Sequence, residues 1–402
     1  MTDHGNLLLA QSGGPTAVMN SSLVGAVETA RASDKFDVIL GACNGVEGIL
    51  SESFIDLGWQ PPHVLSRVQR TPSAALGTTR LRVSEESAAR VVAILKRFRI
   101  RAVALIGGND SADTAMRLSA AARASGIELA VVSIPKTIDN DLPGSDHCPG
   151  YGSIARFIAL ATRDSGLDTE AMAAIYPVKL IEVMGRNAGW VAASSTLLQE
   201  SAEEPPQLIF FPERPPRDLA AFLSEIKTVY DRRGFVVAVI PETLKTADGK
   251  PFIEGEVSWI DAFGHPYFPG PGPGLTRAIE EHLRLRARYD KPGTISRMFM
   301  AAISEVDLAE ARMVGAAAAR LLLEGASDVM VTLERVSEEP YHAITSTVPL
   351  AQVANHERLL PDEFIGPDGR SVTPAFRRYA LPLIGDSIPA YGKLVDLRYR
   401  LA

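Results

Sequence analysis

The sequence predicts an α/β fold of two Rossmann-like, three-layer lobes with parallel sheets. The first observation is a set of short apolar runs made almost entirely of Val, Ile, Leu and Ala. Such runs are typical of strands buried on both faces of a parallel sheet. The second observation is that helical patterns separate the runs, as in βαβ units. The third is their number: eight runs between residues 6 and 333 are too many for one small open sheet.

The predicted strands follow one another in chain order. They are Asn6–Ala10, Val38–Cys43, Ala102–Ile106, Leu129–Ile134, Lys179–Val183, Leu208–Phe211, Phe235–Ile240 and Asp328–Leu333. Two of the intervening helices have clear end signals. Ser84–Phe98 opens with SEES, which places acidic side chains in the first turn, and Ala311–Glu324 combines strong helix formers with a following Gly325.

The pattern divides the chain into two lobes and two additions, with the lobe boundary near residues 137–146. We expect a first lobe over residues 1–140, completed by part of 275–330, and a second lobe over 141–246. Segment 247–274 contains FPGPGPGL and has no sustained period, so we interpret it as an ordered insertion or lid. Residues 350–402 are less periodic, and we expect an appendage on the second lobe.

Composition excludes several classes of function. The 402-residue chain has a formal net charge of −7, so its overall field does not attract nucleic acid or an anionic membrane. Its two cysteines, Cys43 and Cys148, give no disulfide framework and no metal knuckle. No apolar run approaches the roughly 20 residues of a membrane helix, and the N-terminus has no basic leader. We therefore expect a cytoplasmic protein.

Glycine-marked loops follow two of the predicted strands. Gly13–Pro15 comes after the first strand, and Gly107–Ser111 (GGNDS) comes directly after RAVALI. Glycine lets backbone N–H groups approach a phosphate closely, and the helix that follows adds a partial positive charge. Each motif alone fits a tight strand-to-helix turn equally well. Two of them at equivalent strand ends favour a phosphate site.

Charged residues follow two further strands. PKTIDND at 135–141 places a lysine, a threonine and two acids together, which suits phosphoryl transfer to a hydroxyl. The alternative is an Asx turn with solvated charges. EVMGR ends in Arg186, which either clamps an oxyanion or lies solvated at the surface. Because ligands bind beyond the carboxyl ends of strands in open α/β sheets, we expect the active site between the lobes.

These motifs resemble those of the phosphofructokinases. PKTIDND resembles the catalytic loop of that family, GGNDS its GGDGS or GGDDS loop, EVMGR its sugar-binding signature, and SGGPTAVMN its opening GGDAPGMN. GTTRLR, IPE and RYDKPGTISR fall where the family has a donor-facing arginine, a glutamate on the sugar hydroxyls and two arginines on the sugar 6-phosphate. ARMVGAAAARLLLEG resembles the helix that follows. The resemblance covers residues 6–326 in order.

The resemblance implies a role for each matching residue. Asp139 would be the general base for the O1 hydroxyl of fructose 6-phosphate, Asp141 would support it, and Lys136 and Arg186 would complete the catalytic set. The residues implied to bind the sugar phosphate are Thr137, Ile138, Met184, Gly185, Arg186, Glu242, Arg288, Thr294 and Arg297. The residues implied to face the donor are Gly13, Gly14, Arg80, Gly108, Asp110 and Lys136. The first lobe would thus bind the donor and the second the sugar phosphate.

Two positions indicate that the donor is pyrophosphate. ATP-using members of the family usually carry glycine where this chain has Asp110 and Lys136. A carboxylate at 110 would lie where the α-phosphate of a nucleotide binds, and two unit charges about 4 Å apart repel by roughly 4 kcal/mol at an effective dielectric of 20. The ammonium of Lys136 would stabilise pyrophosphate in the transition state. The paired change is similar to that in the pyrophosphate-dependent branch.

The sequence departs from the family at three places. Asn109 replaces the aspartate that ligates Mg²⁺, so Asn109 and Asp110 are the candidate metal ligands. Thr294 replaces a histidine between the two phosphate arginines, and Pro177, with Lys179 two residues on, replaces an arginine before EVMGR. In many members the 6-phosphate residues come from a neighbouring subunit. A homodimer or homotetramer is therefore implied.

Four alternatives remain at this point. The protein could be an ATP-dependent phosphofructokinase, a non-catalytic phosphosugar-binding regulator, or a kinase of another small metabolite with a GGDG-type loop. The intact Asp139 loop argues against a regulator, and EVMGR with the spaced Arg288 and Arg297 argues for a sugar phosphate. Sedoheptulose 7-phosphate is a further possible substrate.

Overall fold

The computed structural model of the protein describes residues 5–252, 259–260, 266–267, 270–392 and 394. The predicted insertion 247–274 and the predicted appendage 350–402 therefore lie partly outside the described residues. The strands are β1 (Asn6–Gln11), β2 (Ile39–Ala42), β3 (Phe54–Asp56), β4 (Ile100–Gly107), β5 (Ala130–Pro135), β6 (Val178–Val183), β7 (Leu208–Ile209), β8 (Val236–Pro241), β9 (Trp259–Ile260), β10 (Pro266–Tyr267), β11 (Ala287–Asp290), β12 (Val329–Glu338) and β13 (Tyr341–Pro349). The helices are α1 (Met19–Arg31), α2 (Gly45–Leu50), α3 (Pro62–Gln69), α4 (Glu85–Arg97), α5 (Asn109–Ala124), α6 (Tyr151–Ala171), α7 (Trp190–Ser194), α8 (Leu219–Arg233), α9 (Gly272–Ala278), α10 (Glu305–Leu323) and α11 (Pro374–Ala380).

Seven strands form the sheet of the first lobe, in the order β13-β12-β5-β4-β1-β2-β3. The five inner strands are parallel, whereas the edge strands β3 and β13 are antiparallel to their neighbours. Neither edge strand was predicted, because each is partly exposed and lacks a continuous apolar run. The segment expected to complete this lobe, 275–330, in fact extends through β12 and β13 to Pro349.

Four parallel strands form the sheet of the second lobe, in the order β11-β6-β8-β7. The central strands β6 and β8 are buried along their whole length, as their apolar runs predict. The edge strand β11 has the sequence ARYD, and this polar composition explains why it was not predicted. β9 and β10 form a separate antiparallel pair.

Helices cover both faces of each sheet, which gives each lobe three layers. Along β1, Leu8 and Ala10 pack in one apolar cluster with α4 and α5, and Leu7 and Leu9 pack in another with α1 and α10. This division follows from the alternation of side chains along a strand. The second sheet is likewise covered by α6 and α7 on one face and by α8 and α9 on the other.

The predicted helix ends are present, with one helix longer than expected. Ser84 caps α4 in a reciprocal capping box with Ser87. α10 contains the predicted Ala311–Glu324 apart from its last residue but begins a turn and a half earlier, where the Ser304 side chain accepts from the Asp307 backbone. α10 packs closely on α1, since a Cβ on Gly25 would lie 2.2 Å from the Arg312 carbonyl oxygen.

The C-terminal segment contacts both lobes, whereas we expected an appendage on the second. Leu350 and Val353 pack in a core cluster of the first lobe. Leu360, Phe376 and Leu383 pack in a core cluster of the second. The segment therefore bridges the lobes from Leu350 to Leu383. Among the described residues, no helix is long and apolar enough to span a membrane.

Candidate active site

The three predicted strand-end loops of the first lobe lie side by side. β1, β4 and β5 are parallel neighbours, so their carboxyl ends meet at one edge of the sheet. Backbone bonds link the loops: Ser12 N–H donates to the Ile106 carbonyl at 2.9 Å, and Lys136 N–H donates to the Gly107 carbonyl at 3.0 Å. The two glycine turns and the PKTIDND loop therefore form one continuous surface.

The glycine turn after β1 holds the ammonium of Lys136. Lys136 is almost fully buried, and its Nζ donates to the Gly14 carbonyl at 2.8 Å. Gly13 lies in the left-handed region with φ 76°, and a Cβ there would be 3.3 Å from the same Nζ. Burial, together with the nearby positive charge of Arg297, lowers the pKa of Lys136 to about 8.

The loop after Lys136 is fixed by its own threonine. The Thr137 hydroxyl donates to Asp141 Oδ1 at 2.9 Å and accepts from the Asp139 backbone N–H at 3.1 Å. Asn140, between the two acids, has φ 56° and so lies in the left-handed region. The carboxylate of Asp141 is therefore bound to the loop, whereas Asp139 contacts Thr137 only through its backbone.

Both carboxyl groups have raised pKa values. Burial, with a smaller contribution from the neighbouring Asp141, raises the pKa of Asp139 to about 7. Burial also raises the pKa of Asp141, although the hydrogen bond from Thr137 opposes it. A carboxyl that titrates near neutral pH is a suitable proton acceptor.

The second lobe contributes the residues after β6 and β8. Gly185 and Arg186 both have positive φ, 133° and 48°, and the Thr243 hydroxyl donates to the Arg186 carbonyl. The exposed Arg186 guanidinium interacts electrostatically with a group of carboxylates, in order of strength Asp139, Asp141, Asp110 and Glu242. Arg186 therefore connects acids of the two lobes. Glu242 follows β8, and its N–H donates to the Val183 carbonyl at 2.9 Å.

Two apolar residues predicted to contact the sugar lie at the same edge. Ile138 is buried in a core cluster of the second lobe, and Met184 is half-buried against that cluster. Because Ile138 belongs to the loop after β5, this cluster attaches the first-lobe loop to the second lobe.

Arg297 belongs to this site. A Cβ on Gly14 would lie 2.4 Å from Arg297 Nη1, so only glycine leaves room for the guanidinium there. Its charge lowers the pKa of Lys136 and opposes the burial that raises the pKa of Glu242. Arg297 thus touches the glycine turn and lies within electrostatic reach of both lobes. Thr294, three residues earlier, is exposed.

The structure does not bring Arg288 to this site within one chain. Arg288 pairs in register with Lys179, four residues before β6 ends at Val183, or roughly 13 Å back along the strand. Its guanidinium lies 4.0 Å from the centre of the Tyr176 ring, and Nη1 is 3.9 Å from Asp168. Lys179, two residues after the Pro177 that replaces a family arginine, pairs with Asp290 at 2.9 Å. Both cations are therefore at the opposite end of the second sheet.

The remaining donor-side residues surround the two glycine turns. Thr78 Oγ1 donates to the Gly13 carbonyl at 2.6 Å, and Gly13 N–H donates to the Thr79 carbonyl at 3.0 Å, which places exposed Arg80 beside this turn. At the second turn, a Cβ on Gly108 would be 3.6 Å from the Lys136 carbonyl. Exposed Asp110 lies in the first turn of α5.

The residues proposed for a metal fit a weakly held divalent cation. Asn109 Oδ1 is buried and has no hydrogen-bond partner among the described residues, which leaves an oxygen available to an ion. Asp110 beside it supplies one carboxylate. No group of three or more His, Cys, Asp or Glu side chains in the described part of the chain forms a cage. A neutral oxygen, a carboxylate and substrate phosphates are a typical set for Mg²⁺.

Sequence reasoning gave no role to Glu182, which lies on β6 two residues before Met184. Glu182 is almost fully buried and accepts from Gly272 N–H and from the Tyr289 hydroxyl, both at 2.9 Å. Lys291 Nζ lies 2.6 Å from its other oxygen. A charged residue in a strand that is buried along its whole length is the signal that would have identified it.

Comparisons with known proteins identify the family of this chain. The sequence model described as Phosphofructokinase matches residues 6–322. A pyrophosphate–fructose 6-phosphate 1-phosphotransferase of Xanthomonas campestris pv. campestris is 38% identical over 396 residues, which cover 97% of this chain and 94% of the relative. One of the same name from Rhodospirillum rubrum is 38% identical and covers 98% of both chains. The solved pyrophosphate-dependent phosphofructokinase of Nitrosospira multiformis is 34% identical, covers 98% of this chain and 95% of its own, and has a TM-score of 0.86. The predicted two-lobed α/β fold is confirmed, and the chain belongs to the phosphofructokinase family.

Proposed function

We propose that this protein transfers a phosphoryl group from pyrophosphate to the O1 hydroxyl of fructose 6-phosphate, reversibly, to give fructose 1,6-bisphosphate and phosphate. The observation that carries the proposal is one loop that presents a carboxyl titrating near pH 7, Asp139, and a buried ammonium, Lys136, beside a glycine turn. These are the base and the cation that phosphoryl transfer to a hydroxyl requires. The curated relatives named above carry the name of this reaction.

Asp139 accepts the proton of the O1 hydroxyl as that oxygen attacks the phosphorus. Because its pKa is about 7, it is largely ionised at slightly alkaline pH and is still basic enough to accept the proton. Asp141 raises that pKa further, and its own bond to Thr137 keeps the loop in place. In the reverse direction, the protonated Asp139 returns the proton to O1.

Lys136 and Arg186 offset the negative charge of the phosphoryl group in transit. Lys136 is held against Gly14 before substrate arrives, so no reorganisation is needed during the reaction. Arg186 approaches from the second lobe and interacts with Asp139 and Asp110 on the first. Phosphoryl transfer is catalysed mainly by such positioning and charge stabilisation.

Asn109 and Asp110 would hold Mg²⁺ together with the phosphates of the donor. When bound, the ion offsets the charge of the pyrophosphate oxygens. The buried Asn109 oxygen without a partner among the described residues supports this assignment. Gly13, Gly14, Gly108 and Arg80 would hold the pyrophosphate itself, since their backbone and charge surround the same turns.

The sugar phosphate would lie on the second lobe, with its 6-phosphate on Arg297. Glu242 would accept from the sugar hydroxyls, and Thr137, Ile138, Met184, Gly185 and Thr294 would line the rest of this subsite. Arg288 cannot reach the site of its own chain, so we propose that it serves the site of a neighbouring subunit in a homodimer or homotetramer. We also propose a cytoplasmic role in glycolysis or gluconeogenesis, because these substrates are metabolites of that pathway.

The experiment that tests this function is a coupled assay with purified protein, fructose 6-phosphate and Mg²⁺, comparing pyrophosphate with ATP. We expect turnover with pyrophosphate and none above background with ATP. Asp139→Asn is assayed in parallel. If the turnover is that of this protein and not of a contaminant, the variant must lose it. Turnover with ATP alone would overturn the donor assignment, and turnover with neither would overturn the function. Sedoheptulose 7-phosphate in place of fructose 6-phosphate measures the breadth of the sugar site.

A further inference from the structure

The loop 136–141 is contacted by a part of the chain that lies beyond the matched family segment. The family model ends at residue 322, whereas Arg358 and Tyr379 belong to the C-terminal segment that bridges the lobes. We propose that Arg358 and Tyr379 are positioning residues for the proposed phosphoryl transfer. They act by fixing Asn140 and, through it, the acids on either side. This inference rests on the proposed function.

Arg358 and Tyr379 both bind Asn140. It is fully buried and lies in the left-handed region between Asp139 and Asp141. Its Nδ2 donates to the Tyr379 hydroxyl at 2.9 Å, and its Oδ1 accepts from Cys148 N–H at 3.0 Å. The conformation of this residue sets the direction of both neighbouring side chains.

Arg358 holds the backbone of the same loop. Its Nη2 donates to the Asn140 carbonyl at 2.9 Å, and its backbone N–H donates to the Asp141 carbonyl at 2.7 Å. The opposite side of its guanidinium fork donates to the Asp146 carbonyl at 2.7 Å. The guanidinium lies 4.6 Å from the centre of the Trp190 ring, whose Nε1 donates to the Arg358 carbonyl at 3.1 Å. Arg358 is therefore fixed to the second lobe while it binds the loop.

Tyr379 binds the same loop through one hydroxyl that makes two hydrogen bonds. The hydroxyl accepts from Asn140 Nδ2 and donates to the Asp146 carbonyl at 2.7 Å. Its ring packs 5.4 Å from Trp190 and 5.3 Å from Phe364, between centroids. The ring packing is independent of the hydroxyl, so Tyr379→Phe removes the two bonds and leaves the packing in place.

The test combines turnover with a measurement that does not depend on turnover. Tyr379→Phe is expected to lower kcat roughly tenfold, with KM values for both substrates within about twofold, because the loop loses its alignment and not its binding groups. Arg358→Lys keeps the charge without the fork and should also lower kcat, whereas Arg358→Ala should lower it further. In hydrogen exchange, peptides covering 136–148 should exchange faster in Tyr379→Phe than in wild type.

The matched control is Tyr151→Phe. Its hydroxyl also donates to a backbone carbonyl in the second-lobe core, that of Trp190 at 3.2 Å, without a side-chain bond to the loop. It should leave kcat and the exchange of 136–148 unchanged. In an Asp139→Asn background, Tyr379→Phe should lower the residual rate less than about twofold, because the group it positions is already gone.

The outcomes distinguish failure of the positioning role from failure of the proposed function. A wild-type kcat in Tyr379→Phe, or a full tenfold loss repeated in the Asp139→Asn background, would overturn the positioning role and leave the proposed function standing. Unchanged exchange of 136–148 would do the same. No turnover by wild-type protein would overturn the proposed function and the catalytic part of the inference together.

Discussion

Two charged clusters are built on the two ends of segment 136–148, and the pKa values of their buried groups shift in opposite ways. The front cluster contains Lys136, Asp139 and Asp141 with Arg186 and Glu242. Burial lowers the pKa of Lys136 to about 8 and raises that of Asp139 to about 7, so both groups move towards their neutral forms. No direct ion pair between Lys136 and an acid compensates for burial among the described residues.

The rear cluster contains Asp146, His147, Glu310, Arg335 and Tyr341. His147 is almost fully buried, yet its ring nitrogens lie 2.8 Å from Asp146 and 2.7 Å from Glu310. Burial opposes the charged imidazole, but these two bonds raise its pKa to about 9. Asp146 also binds Arg335 at 3.0 Å, and its pKa is lowered against the effect of burial. Removing one member of such a buried, paired network is costly, because its partner is left charged and unpaired. The incompletely paired charges of the front cluster, by contrast, remain available to a substrate.

The largest expected effect comes from removing the carboxylate of Asp139. Asp139→Asn should lower kcat by about 10²–10⁴-fold with little change in the KM for fructose 6-phosphate, since the base acts in the transition state. Because burial raises its pKa from 3.8 to about 7, Asp139 destabilises the fold increasingly as pH rises above about 4, and the effect is complete above pH 7. The variant should therefore also have a higher Tm at pH 8. Steady-state kinetics and calorimetry measure both. A raised KM with intact turnover would make Asp139 a binding residue.

Removing the imidazole of His147 should destabilise the fold, whereas removing the carboxylate of Asp139 should stabilise it at pH 8. His147→Gln should lower the free energy of unfolding by about 3–5 kcal/mol at pH 6, because it breaks a buried charge network. The pKa of His147 is raised from 6.5 to about 9, so its contribution is complete below pH 6.5 and is lost as pH rises to about 9. Denaturant unfolding of wild type and variant across this range measures the difference. His342 is exposed, so His342→Gln is the control and should change neither the free energy of unfolding nor its dependence on pH.

Between pH 6 and about 7.5, kcat of the wild-type protein should rise, because below its pKa of about 7 Asp139 is protonated and cannot accept a proton. Above pH 8, kcat should fall again, because Lys136, whose pKa is about 8, loses its charge. A difference in stability between wild type and His147→Gln that does not vary with pH would contradict the assignment of the rear cluster as a charged network.

The front cluster was predictable from the sequence and the rear cluster was not. Lys136, Asp139 and Asp141 lie in one seven-residue motif at a strand end, and the strand order alone brings this motif beside the glycine turns. The rear cluster joins residues from 146 to 341, and no local pattern records such contacts. Its pairing depends on how α10 and β13 pack, which follows from the whole fold.

Arg288 and Arg297 show the same limit within a single motif. The resemblance implied that both arginines bind the sugar 6-phosphate, and within one chain Arg288 lies on an edge strand whereas Arg297 lies on the short helical turn Gly293–Arg297 that leads to the front cluster. The distance between their positions is set by the paths of β11 and this turn. Spacing alone does not contain that information.

The two arginines offer the next test of the front cluster. Arg297→Ala should raise the KM for fructose 6-phosphate by about 10–10²-fold, which corresponds to a lost bond to a charged group. Arg288→Ala should do likewise if it acts on a neighbouring chain. An unchanged KM in Arg297→Ala would remove it from the sugar site.

Co-expression of the two variants distinguishes action within a chain from action across subunits. In a hybrid dimer, one site would carry both substitutions and the other would carry neither, so about a quarter of all sites should have wild-type KM after random pairing. Kinetics of the mixture should then show a high-affinity component that neither variant shows alone. Its absence would mean that each arginine acts within its own chain or that Arg288 binds no substrate.

The smallest expected effect concerns the donor. Asp110 is exposed in the first turn of α5, so its repulsion of a nucleotide is screened, and Asp110→Gly should raise kcat/KM for ATP only about 5–10-fold. Asp110→Asn is the matched variant, because it removes the charge and keeps the size. A gain in both variants would identify charge as the cause, and a gain in Asp110→Gly alone would identify bulk. If neither variant gains activity with ATP, the double variant with Lys136→Gly tests by the same assay whether the buried ammonium of Lys136 excludes the nucleotide, and no gain in the double variant would show that another feature excludes it.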